Sequence, residues 1–375
     1  MKKTKTLLSS AVAVLALAVF VSCASVSKDS GSHSEVTFKK GTLTIAGQGH
    51  FSAGGTVRFN DGVLNPNDVY SDRKGQSVHG GHASVFYQIP VNPRKYGIVF
   101  LHGNGQSSKC WSTTPDGREG FQTLFLRAGF GVYLVDQPGR GQAAQNIEDA
   151  TVLSDRSDQM RFDQFRLGQG QWPNFYERIA FPKDEESLNQ FYRQMTPTVG
   201  NISEEVRTKA MKAVFERTGD AVFFTHSAGG SAGWNTAMET DKVKAIVALE
   251  PGSFVYPENE APEWIENLYV NFPTPTVSPE KFERLTKIPI VIYFGDNIPD
   301  EHSTNAGQDW WYAVRRMADY FAETVNRHGG DVTIVDLPKI GLYGNTHFIF
   351  SDTNNDKVAE NILSWMHEKG LDAEE

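Results

Sequence analysis

One serine stands in an unusual run, AVFFTHSAGGSAGW (221–234). Apolar residues lead into Ser227, and Ala228, Gly229, Gly230, Ser231, Ala232 and Gly233 follow it. Either the backbone merely turns tightly here, or the turn presents Ser227 to a ligand. A serine hydroxyl is a poor nucleophile unless a neighbouring base removes its proton. His347, in GNTHFIF, has the near-neutral imidazole that can take such a proton and return it to a leaving group. Glu250, in ALEPG, could hold the second imidazole nitrogen and stabilise the imidazolium. It closes an apolar run, where an unpaired carboxylate would be costly. Asp296, in FGD, is the alternative acid. Nucleophile, carboxylate and imidazole thus occur in the order Ser, Glu, His.

Groups spread over 120 positions need a scaffold that brings them together. GIVFL (97–101), GVYLVD (131–136), AVFFT (221–225), AIVAL (245–249), IPIVIYF (288–294) and VTIVDL (332–337) are short, nearly continuous apolar runs. Such runs suit parallel strands buried on both faces. Helices are expected between them: one capped by Ser203 and running to about Arg217, one over Trp310–Arg327 ended by Gly329–Gly330, and one over Asp356–Lys369 ended by Gly370. The alternation gives an α/β fold. Upstream, GTLTIAG, GTVRF and HASVFYQIPV read as short antiparallel segments split by turns. Residues 142–201 break the alternation with polar and aromatic sequence, including Phe162, Phe165, Trp172 and Phe191, and read as a cap inserted over the sheet's C-terminal edge. In open α/β sheets that edge is where ligand groups gather, and Ser227, Glu250, Asp296 and His347 all follow strands.

THSAGG resembles the nucleophile elbow G-x-S-x-G of the α/β-hydrolase superfamily, with Thr225 in place of the first glycine. FLHGNG resembles that superfamily's oxyanion loop, and VDQPGRGQA its D-x-P-G-x-G segment after the fourth strand. TTPDGREGF, DQPGRG, THSAGG, ALEPG, FGD and GNTHFIF together resemble the bacterial secreted carboxylesterases with a Ser–Glu–His triad, over roughly Tyr96–Met366. The resemblance implies an α/β-hydrolase fold with an antiparallel N-terminal part and an inserted cap. It also implies hydrolysis of a small-molecule carboxylic ester by Ser227, His347 and Glu250. The backbone N–H of Ala228 and one from Gly103–Asn104 would form the oxyanion hole. It favours Glu250 over Asp296, although most of the superfamily places its acid after the seventh strand. His102 is expected to pack behind the oxyanion loop, and His226 to support the site at most. Thioesterase, lactonase and peptidase chemistry share the triad. A non-catalytic envelope binding protein on the same scaffold is the reading from another class; a missing triad member would mark it, and none is missing. Epoxide hydrolases and dehalogenases place an aspartate where Ser227 stands.

The rest of the chain narrows the setting. Lys2, Lys3 and Lys5, the apolar Leu7–Val21 and the small residues 22–24 form an export signal, and VFVSCAS resembles a bacterial lipoprotein signal with Cys23 as the lipidated residue. Residues 1–23 are then a signal peptide, 24–36 a Ser/Gly-rich tether, and 37–375 one domain in the cell envelope, touching the membrane only through the lipid; ordinary cleavage after Ala24 would instead leave a periplasmic or secreted protein. Cys110 is left as a structural thiol. Net charge is −9, which excludes nucleic acid as a natural partner and leans mildly against anionic substrates. GNGQSS lacks the lysine of a phosphate loop, and HGGH (79–82) reads as a turn into a strand, without the acidic or cysteine cluster a metal needs. Neither cofactor nor metal is expected.

Overall fold

The computed structural model describes residues 38, 41–147, 151–153 and 156–374. The signal peptide with Cys23, and the tether, lie outside the described residues. Among those described, eight strands form one sheet: β1 (Ile45–Phe59), β2 (Ser77–Pro90), β3 (Gly97–Leu101), β4 (Val132–Asp136), β5 (Ala221–His226), β6 (Val243–Leu249), β7 (Pro289–Phe294) and β8 (Asp331–Asp336). Their spatial order is β1-β2-β4-β3-β5-β6-β7-β8. The β1–β2 and β2–β4 pairs are antiparallel and all the others parallel. This is the α/β-hydrolase architecture, with β5 and β6 near the middle of the sheet.

The apolar runs are buried for the expected reason. In β5, Val222 and Phe224 join a core with Phe100, Phe125 and Ile362, while Ala221 and Phe223 join the opposite core with Val214, Phe215 and Val243. Successive side chains leave opposite faces of a strand, so both faces must be covered. Helices α1 (Phe121–Arg127) and α7 (Asn355–Glu368) pack on the first side. Helices α4 (Glu204–Thr218), α5 (Gly229–Glu239) and α6 (Ala306–Arg327) pack on the second. Ser203 caps α4 by accepting from the Val206 N–H, as expected.

Three expectations need correction. The N-terminal segments are not separate short strands: β1 runs through fifteen residues in one antiparallel pairing with β2, because Gly54 and Gly55 adopt φ of 68° and 90° and let the ribbon bend without ending. HGGH is no turn; it lies inside β2. Helix α6 begins four residues earlier than read, where the Asn305 side chain accepts from the Gln308 N–H.

The segment between β4 and α4 carries helices α2 (Asp158–Gln164) and α3 (Glu185–Arg193). Phe165 and Phe191 are buried against Phe348 and Phe162 against Phe175, whereas Trp172 is exposed. Most of its aromatics are packing residues.

Candidate active site

At the end of β5 the chain reverses within two residues. Ser227 has φ of 53°, a left-handed conformation that L-residues avoid, and its N–H donates to the Leu249 carbonyl at 3.1 Å. Its own carbonyl accepts from Gly230 and Gly252. A Cβ on Gly103 would stand 2.6 Å from Ser227 Cβ, and one on Gly229 would stand 2.8 Å from the His102 carbonyl. The small residues around the serine are therefore required by backbone segments that pass too closely for side chains. Thr225 is tolerated at its glycine-like position because Gly233 makes room: a Cβ there would lie 2.8 Å from Thr225 Cγ2. Gly233→Ala is expected to cost about 1–3 kcal/mol from overpacking. Adding Thr225→Ala should recover most of that, since Thr225 Oγ1 has no hydrogen-bond partner among the described residues and alanine favours the helix. Urea unfolding of the single and double variants checks this; an unaltered single variant would remove the packing explanation.

Ser227, Ala228, Asn104 and His347 line one cavity of about 360 Å³, together with Phe165, Trp310 and Trp311. Gly103 lies just beneath, against Ser227. A larger hollow of about 510 Å³, lined by Ala237, Lys244 and Arg284 among others, holds none of these groups.

Behind His347, the imidazole Nδ1 stands 2.6 Å from Glu250 Oε2. A carboxylate only accepts, so Nδ1 carries the proton and Nε2 keeps its lone pair. Glu250 Oε1 accepts from the Gly295 N–H at 2.7 Å and from Arg166 Nη2. Glu250 is fully buried. Burial pushes its carboxyl upward, but the Arg166 charge and the His347 contact outweigh that and leave it below the ordinary value. Burial lowers His347, with Glu250 pulling back only part of the way. The pair is therefore carboxylate and neutral imidazole near pH 7, the state a general base needs. Asp296 is placed otherwise: its carboxylate accepts from the N–H groups of Asn297 and Gly344, both at 2.8 Å. It shapes the loop that carries His347 without bonding to the imidazole.

Two arginines absent from the sequence reading complete the arrangement. Arg166, from the inserted segment, is fully buried; Nε donates to the Asp296 carbonyl at 2.8 Å, and the guanidinium lies 4.7 Å from the Trp311 ring centre. Arg140, in DQPGRG, donates from Nη2 to Asn104 Oδ1. Neighbours in that turn hold the same loop: Asp136 accepts from the Ser108 N–H at 2.6 Å, and Gln137 Nε2 donates to the His102 carbonyl at 3.0 Å. Among the described residues five non-glycine residues have positive φ, and Arg166, Ser227 and Glu250 are three of them. Such strain persists where the surroundings over-determine it, and gathers at functional sites. No sequence motif marks Arg166, whose partner lies 84 positions away.

His226 sends Nε2–H to the His347 carbonyl at 3.0 Å, and His102 sends Nδ1–H to the Gly103 carbonyl at 2.9 Å; both support loops, as expected. Burial, as the leading cause, holds His102, His226 and His347 below the usual 6.5, His102 at about 4. The unfolded chain accepts protons below 6.5 that the folded chain refuses. Their contribution is therefore complete above that pH and is lost as pH falls toward each folded value. Asp352 acts oppositely: burial raises it from 3.8 to about 7, so it stabilises at low pH and that contribution fades as pH rises from 3.8 toward 7. Net, three groups lose stability and one gains it, so unfolding free energy should fall as pH drops below 6.5, by at most about 3 kcal/mol per pH unit. Urea unfolding at pH 7, 6 and 5 measures it; a flat profile would mean that the folded histidines already hold protons.

Fold and site define a class, and comparison agrees. The profile of the alpha/beta hydrolase family matches residues 98–357, and the chain belongs to that family. A protein of Fungal sp. (strain ATCC 74256) named "Probable secreted lipase" is 28% identical over 330 residues, covering 75% of this chain and 84% of its own. A solved structure described as a novel bacterial esterase superposes with a TM-score of 0.73 at 27% identity, covering 89% of this chain and 99% of that one.

Proposed function

We propose that the protein is a serine carboxylesterase. The observation that carries this is the 2.6 Å contact between Glu250 and His347 beside a cavity that also takes in the strained Ser227. The esterase and lipase names of its relatives support it. Ser227 Oγ attacks the ester carbonyl while His347 Nε2 takes its proton. The oxyanion forms against the N–H of Ala228 and one from Gly103–Asn104, each such donor contributing about 2.7–4 kcal/mol. His347, as imidazolium stabilised by Glu250, returns the proton to the departing alcohol. Water, deprotonated by the same imidazole, then frees the acid and restores Ser227. Nothing in this cycle calls for a metal or cofactor. The secreted relative supports export, and residues 1–23 resemble a lipoprotein signal that would make Cys23 the anchor point.

Labelling by a fluorophosphonate tests the reading. Wild-type protein should react, and Ser227→Ala and His347→Ala should not. A folded wild type that neither labels nor hydrolyses p-nitrophenyl esters would leave a binding protein on a hydrolase scaffold.

A further inference from the structure

The charge around the cavity runs against that of the chain. Arg156, Arg161 and Arg207 line it, and Arg140 lies behind Asn104, nine-tenths buried, with no acceptor for Nη1 among the described residues. Arg207 pairs with Glu204, which also accepts from Ser231 Oγ at 3.0 Å. Arg161 stands 3.7 Å from Asp158, and among the described residues Arg156 meets the neutral Gln164 Oε1 at 3.1 Å and no carboxylate. Among the described residues three guanidinium groups and one carboxylate, Glu204, thus line the cavity, in a protein of net charge −9. The crowding is felt: burial and then the charges of Arg207 and Arg156 draw Arg140 down to about 10, and Arg156 also disfavours the charge on Arg161. The cavity also has an apolar lining, with Val270, Phe272 and Trp310.

We propose that the esters this site takes carry an anionic group, held by Arg156 and Arg207 while the apolar lining receives the carbon chain. The proposal rests on the esterase reading and names its substrate class. Among the described residues guanidinium groups outnumber carboxylates in the cavity lining, and charge-assisted hydrogen bonds to oxyanions are among the strong ones. The net negative charge of the chain sets little barrier, because exposed charges beyond about 8–10 Å are largely screened at physiological salt.

Two ester pairs test it and separate the position of the charge. Monomethyl adipate against methyl hexanoate puts a carboxylate on the acyl side, and 4-acetoxybutanoate against butyl acetate puts it on the alcohol side. In at least one pair the charged ester should have the higher kcat/KM by about tenfold or more. That ratio should fall toward one in Arg156→Gln and Arg207→Gln, and also at high salt, but not in Arg217→Gln, an arginine outside the cavity. Neutral esters equal to or better than charged ones in both pairs, in protein that labels with fluorophosphonate, would overturn the proposal. Failure of the esterase reading looks different, as absent labelling and no hydrolysis of any ester. Calorimetric titration with monomethyl adipate would then decide: binding weakened by both substitutions upholds anion recognition, and no binding ends it.

Discussion

Ser227→Ala is expected to lower kcat for ester hydrolysis by about four to six orders of magnitude, because the remaining binding and oxyanion groups retain only a small part of such catalysis. The fold should survive almost unchanged. Alanine keeps the Cβ that fits against Gly103 and inherits the same left-handed backbone, so the strain at φ of 53° remains. Ser227→Gly separates the two quantities. It is equally inactive, but relief of that conformation should stabilise the protein by about 1–2 kcal/mol relative to Ser227→Ala. Steady-state kinetics and urea unfolding of the three proteins suffice. Substantial activity in Ser227→Ala would remove the nucleophile from the mechanism, and equal stability of the glycine and alanine variants would remove the claim of strain at the elbow.

The second large effect belongs to Arg166. Arg166→Met keeps the bulk beside Trp311 and leaves Glu250 buried without its cation. Losing one partner of a buried ion pair typically costs about 3–5 kcal/mol. A role confined to stability would end there. Arg166 also lowers both Glu250 and His347 through its charge, so its removal lets both rise. The proposed mechanism needs ionised Glu250 and neutral His347, and the acidic limb of kcat/KM should therefore move to higher pH. The measurement is a pH–rate profile below the variant's melting temperature. An unmoved limb in a destabilised protein would reduce Arg166 to a structural residue.

Much of this site could be read from the chain because its physics is local. Continuous apolar runs must be buried on both faces, so AVFFT and AIVAL announced parallel strands, and the tiny residues after Ser227 announced a close approach of backbones. The beginning of α6 was misread because an asparagine cap outweighed the aromatic pattern that begins at Trp310. The single long β1 was misread because glycines that resemble a turn instead served as a bend within a ribbon.

What sequence alone determined was the inventory: an α/β alternation, a serine on a sharp turn, and a carboxylate and an imidazole following it in order. Two acids fitted that inventory equally in kind, and only the tertiary structure decided which meets the imidazole. The chain turns at Glu250 with φ of 48° and its carboxylate accepts from the Gly295 N–H, while the Asp296 carboxylate accepts from the N–H groups of Asn297 and Gly344. Arg166 and the arginines of the cavity were beyond reach for the same reason. A guanidinium acquires its meaning from the charges within a few ångströms of it, and these neighbours are brought together by packing of the inserted segment on the sheet rather than by proximity along the chain.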